Sequence, residues 1–98
     1  MNHKPTPIID KEAFVRRAKF LVDLYDKGEI SYPPCAITSL TDRINLVVWK
    51  NLGALSLSIK KEWRGIPCSQ SVAYIDVHGD VDELWDVYKF YLDILESE

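Results

Sequence analysis

Glycine and cysteine are scarce in this chain: four glycines and two cysteines among 98 residues. The glycines, Gly28, Gly53, Gly65 and Gly79, form no phosphate-cradling loop. Cys35 and Cys68 make no CxxC pair, and the sequence offers few partners for a zinc site. No run approaches the ~18 apolar residues that a membrane-spanning helix needs. The first residues carry no apolar signal segment, and acids begin at Asp10. The expectation is a cytoplasmic protein with reduced thiols.

Signals of catalysis are equally thin. Ser39, Ser69 and Ser71 lack a nucleophile-elbow pattern or a paired histidine. His3 falls in the leader, residues 1–9, where Pro5 and Pro7 oppose regular hydrogen bonding and flexibility is expected. Cys68 and His78 are too far apart in sequence to suggest a thiol–imidazole pair. The densest polar cluster is Asp76, His78, Asp80, Asp82 and Glu83. Its oxygens suit magnesium or calcium, and its histidine suits proton transfer. However, no calcium-loop spacing is present, and Asp80 is wanted as a helix cap. The expectation is no cofactor, no metal and no enzymatic activity, with a small metal-dependent hydrolase as an alternative around Asp76 to Glu83.

Charge is low overall and unevenly spread. The formal net charge is -3, mildly against a duplex nucleic-acid binder. Residues 1–75 hold 11 Lys+Arg against 7 Asp+Glu, whereas residues 76–98 hold 8 acids against Lys89 alone. Lys60, Lys61 and Arg64, with Trp63 among them, suggest as an alternative function a single-stranded nucleic-acid or RNA-associated binding module, although Glu62 interrupts the cations.

What the chain does have is strong periodicity. From Ile44 to Val77 it reads as three strands. Ile44, Leu46 and Val48 alternate with Asn45, Val47 and Trp49. Leu55, Leu57 and Ile59 alternate with Ser56, Ser58 and Lys60. Val72, Tyr74 and Val77 form a third set whose period slips once. A rival helix over Leu40 to Leu52 would spread its apolar residues round all sides. Lys50 to Gly53 reads as a hairpin turn and Trp63 to Gln70 as a loop. Cys35 to Ser39 is a candidate extra edge strand, after a stiff, extended Tyr32-Pro33-Pro34.

Two helices flank these strands. The first starts at an Asp10 cap, buries Ala13, Phe14, Ala18, Leu21, Val22 and Tyr25, and stops at Gly28. The second starts at Asp80, with Glu83 completing a capping box, and carries the stripe Val81, Leu84, Trp85, Tyr88, Leu92 and Leu95. The fold expectation is one α+β domain over residues 1–98. It has a three-stranded antiparallel meander, four-stranded if Cys35 to Ser39 joins, packed with two helices. The expected core is Phe14, Leu21, Ile44, Leu46, Val48, Leu57, Ile59, Leu84, Tyr88 and Leu92.

The functional expectation is a small protein-binding module: an inhibitor, immunity-type or regulatory partner of a basic protein. Its contact residues would be Trp63, Arg64, Asp82, Glu83, Asp86 and Asp93. Acids concentrated on one helix steer a basic partner, and tryptophan and arginine supply anchors.

Overall fold

The computed structural model describes residues 10–30 and 34–96, with Trp63 and Glu96 described in backbone only. The leader and the Tyr32-Pro33 part of the stiff segment therefore lie outside the described residues. Helix α1 spans Lys11–Asp26, strands β1 to β4 span Cys35–Ser39, Ile44–Trp49, Ala54–Trp63 and Ile66–Asp76, and helix α2 spans Val81–Glu96. The strands form one antiparallel meander in the order β1-β2-β3-β4. The candidate edge strand is thus real, and the sheet has four strands. Leu40 to Leu52 holds the β1–β2 connection, strand β2 and the start of the β2–β3 turn rather than a helix.

The register shows why the alternation sorts as it does. Leu46 faces Leu57, Ile44 faces Ile59, and Val48 faces Leu55 across β2 and β3. Directly opposed residues share a face, so these three pairs define an inner face. Both helices pack on it, α1 against β1 and β2, and α2 against β3 and β4. All ten expected core residues are buried. Leu40, Leu55, Ile75 and Val77 join them. Phe14 stacks on Tyr88 at 5.2 Å between ring centroids and meets Trp85 at 5.3 Å, which locks the two helices together.

The ends of the elements are chemically specified. Asp10 accepts from the Glu12 backbone N–H at 3.0 Å, and Asp80 accepts from the Asp82 backbone N–H at 2.9 Å. Each satisfies a donor that the helix cannot pair itself. At the C-terminal end of α1, Lys27 lies 2.9 Å from Asp23. The Asp23 hydrogen bond and charge hold the lysine pKa above its ordinary value. Between β1 and β2, the buried Thr41 hydroxyl accepts from the backbone N–H groups of Arg43 and Ile44, both at 3.0 Å. That bond set explains how a polar residue sits in the core.

Two features correct the sequence reading. Trp63 to Gln70 is not a loop. β3 and β4 continue through it to the Trp63–Ile66 pair, and only Arg64 and Gly65 form the turn. Both have positive φ, 51° and 78°, the signature of a type I′ hairpin. The aspartate- or asparagine-glycine pair that usually advertises this turn is replaced here by Arg64-Gly65, which hid it. The second feature is the slipped period. Leu57 pairs with Ala73 but Ser58 pairs with Ser71, so Val72 is an extra residue, a β-bulge. Downstream of it Ile75 and Val77 are buried inward and Tyr74 points outward. Tyr74 therefore does not share a face with Val77.

Leu84 is buried between α2 and the sheet, so Leu84→Ala is expected to cost about 2–5 kcal/mol in denaturant unfolding. Gly65 has nothing within 4 Å of where a Cβ would be, leaving only its left-handed backbone to resist substitution. Gly65→Ala is expected to lower stability by about 1–2 kcal/mol without altering the fold, read from the same unfolding curves.

Candidate functional site

The two sides of the sheet differ. Opposite the inner face, Ile37, Val47, Trp49, Ala54, Ser56, Ser71, Tyr74 and Asp76 share the outer face by register. Among the described residues no helix or strand lies over it. Tyr74 is 76% exposed, Leu52 in the β2–β3 turn 69%, and Ile37 60%. For large apolar or aromatic side chains grouped on one surface, that exposure is informative.

Trp49, Leu52, Ala54, Ser56, Ser71 and Tyr74 line a depression of about 470 Å³ on this face. The Trp49 indole N–H donates to Ser56 Oγ at 3.0 Å. The bond ties the ring across the strand pair to Ser56. Ser56 is 2% exposed and forms a small floor between two aromatic walls, since it pairs directly with Tyr74. Asp76 stands beside Ala54, its cross-strand neighbour. Its Oδ1 accepts from the His78 backbone N–H at 3.0 Å. The alternation of Ser56 and Ser58 with Leu55, Leu57 and Ile59 marked this face in the sequence, and both serines are buried on it. The slot itself was hidden, because Tyr74's direction depends on the bulge.

The residues singled out for protein binding fall into two groups. Asp82, Glu83, Asp86 and Asp93 are all exposed on α2. Asp82, Asp86, Lys89 and Asp93 follow the i, i+4, i+7, i+11 spacing of one helical stripe. Lys11 of α1 reaches Asp82 at 3.1 Å, and Lys89 Nζ lies 5.9 Å from the Trp85 ring centre. Phe90, 61% exposed, lies next to that stripe. Arg64 is elsewhere, at the tip of the β3–β4 hairpin. Asp82 follows the opposite end of β4, so roughly 33 Å of strand separates them. The structure does not bring the two groups into one compact site. The Trp63 side chain lies outside the described residues.

The basic candidates also divide. β2 pairs with β3 only as far as Ile59, so the rungs from Lys60 to Ile66 project as a two-stranded arm. Strand alternation sends Lys60 and Glu62 to the outer face and Lys61 to the inner one. Lys61 donates to Gln70 Oε1 at 2.8 Å. These cations do not converge on a single groove.

The Asp76 to Glu83 cluster is spread around a helix start. His78 Nε2 lies 3.0 Å from Asp26 Oδ1 and the ring meets Tyr25 edge-on, tying the loop to α1. Among the described residues no three His, Cys, Asp or Glu side chains are grouped to hold a metal. No helix among them is long and apolar enough to cross a membrane. Comparison of the chain with protein-family models, curated proteins and solved structures finds no match.

If the Trp49–Ser56 bond fixes the slot wall, Trp49→Phe removes one donor from a half-buried site. The expected cost is about 0.5–1.5 kcal/mol, checked by thermal unfolding. The Ser71 and Tyr74 amide resonances are expected to shift, while those of Leu21 and Leu84 stay put.

Proposed function

We propose that this protein is a non-catalytic protein-binding module whose partner presents a basic surface. The observation that carries the reading is the concentration of exposed acids at one end of the molecule. Asp76, Asp80, Asp82, Glu83 and Asp86 are all exposed there. The β2–β3 turn belongs to the same end, since Val77 N–H donates to Gly53 O at 2.9 Å. A helix N-terminus accommodates acids, which supports two or three of them. That effect does not extend to Asp76 on the sheet, whose Oδ1 also accepts from the His78 backbone N–H, or to Asp93 near the far end of α2. A basic partner would relieve their repulsion and associate faster in their field.

The exposed Phe90 on α2 and the open sheet face supply apolar area that charge alone lacks. An inhibitory or regulatory role suits a small domain that offers surfaces rather than a catalytic constellation. The two thiols, Cys35 and Cys68, are free, which suits a reducing compartment such as the cytoplasm. A single-stranded nucleic-acid role has less support, because the arm's cations point to different sides.

The test is affinity capture from native extract, with the wild type compared with an Asp82→Asn, Asp86→Asn, Asp93→Asn triple variant. One specific basic protein is expected to bind the wild type, to dissociate as salt rises, and to be lost from the variant. Equal capture by both folded proteins, or salt-dependent capture of RNA or single-stranded DNA alone, would overturn the reading.

A further inference from the structure

We propose that the slot between Trp49 and Tyr74 is a receptor for an arginine side chain of the partner protein. The inference rests on the protein-binding reading and names the chemistry of one contact within it. The slot's dimensions are those of a side-chain pocket, at about 470 Å³, large enough for a guanidinium group with its stem and part of a neighbouring residue. Its lining sets the class of occupant. Trp49 and Tyr74 supply two ring systems, and a cation over such a ring is attracted by its quadrupole. Leu52 and Ala54 give an aliphatic surface for a methylene stem. Ser71, exposed in the lining, has a hydroxyl oxygen that can accept a hydrogen bond, whereas the buried Ser56 hydroxyl is engaged with Trp49 and Val47.

Charge complementarity decides between a cation and a neutral apolar group. Asp76 is on the same face, directly across from the slot residue Ala54. Its turn bond uses Oδ1, and a carboxylate has a second oxygen to offer. Among the described residues that line the slot none is cationic. Lys60, the cation of the outer face of β3, stands roughly 20 Å along the strand from Ala54. The acids of the proposed partner surface begin at Asp80, just beyond Asp76. An anion, such as a nucleic-acid phosphate, would be repelled at this end.

Arginine fits better than lysine for geometric reasons. The guanidinium is planar, stacks on aromatic faces and carries five donors in a fixed fork. The slot offers two rings together with acceptors at Ser71 and Asp76. A lysine ammonium is more strongly hydrated and gains less from stacking. The edges of the sheet also direct recognition to its face. β1 is only five residues long, and β4 carries Pro67 and the bulge at Val72. Both features discourage addition of a partner strand.

The experiment uses isotope-labelled full-length protein and three capped neutral-background peptides. They are identical except for two arginines, two lysines, or two citrullines, the uncharged isostere of arginine. Resonances are followed up to about 5 mM peptide, a range set by the weak affinity of a single contact. The arginine peptide is expected to shift the Trp49 indole and the Leu52, Ser71 and Tyr74 amides saturably. The lysine peptide is expected to bind at least about fivefold more weakly and citrulline not measurably.

Tyr74→Ala changes an exposed residue, and Asp76→Asn retains the Oδ1 acceptor of the turn. Each is expected to keep the wild-type melting curve and to weaken arginine binding about fivefold or more. Absence of saturable shifts, equal response to citrulline, unchanged affinity in Tyr74→Ala, or tighter binding of a single-stranded oligonucleotide at the same residues would overturn the assignment. In any of these cases, loss of the captured partner from the α2 triple variant would leave the broader protein-binding reading standing.

Discussion

Leu46 and Leu57 face each other across β2 and β3, both fully buried, and the rest of the fold takes its position from that pair. The contact fixes the register of the two central strands. A slip of one residue would put Asn45 or Ser58 against the helices and Leu57 toward solvent. Once this register is set, Phe14, Leu21, Leu84 and Tyr88 have one surface to cover, and two helices of 16 residues suffice. Among the described residues no helix or strand lies on the other side of the sheet, where Ile37 and Tyr74 are exposed while Val47 and Ser56 are buried.

That arrangement bears on the proposed function. The helix layer brings acids to one end of the molecule, because α2 begins where β4 stops. The outer face brings Trp49 and Tyr74 to either side of Ser56, because β2, β3 and β4 are adjacent in the meander. A tight connection, the Val77–Gly53 backbone bond, places both at the same end. On the proposed reading, the acids would attract a basic partner over distance and the slot would add a short-range contact.

Most of the fold was legible in the sequence, since alternation and helical spacing are signals of burial. Phe14, Leu46, Leu57 and Tyr88 could be placed inward from their neighbours alone. The β3–β4 turn was not legible. Arg64 adopts a left-handed backbone that its side chain does not favour, so pairing along the flanking strands must impose it. The outer slot was hidden for a related reason. Val72, Ala73 and Tyr74 cannot be assigned to faces until the bulge is located, and a bulge is set by the partner strand. The acidic surface was legible as a stripe on α2. Its distance from Arg64 was not, because that depends on how far the hairpin extends.

Ile37, Leu52 and Tyr74 are open to solvent on the side of the sheet away from the helices, whereas Leu46, Leu57 and Leu84 are buried on the side they cover. Paramagnetic relaxation by a soluble, uncharged gadolinium chelate measures this residue by residue. Strong enhancement is expected at the side chains of Ile37, Leu52 and Tyr74, with nearly none at Leu46, Leu57 and Leu84. Equal protection of the two sets would show that the outer face is covered, and would contradict the account.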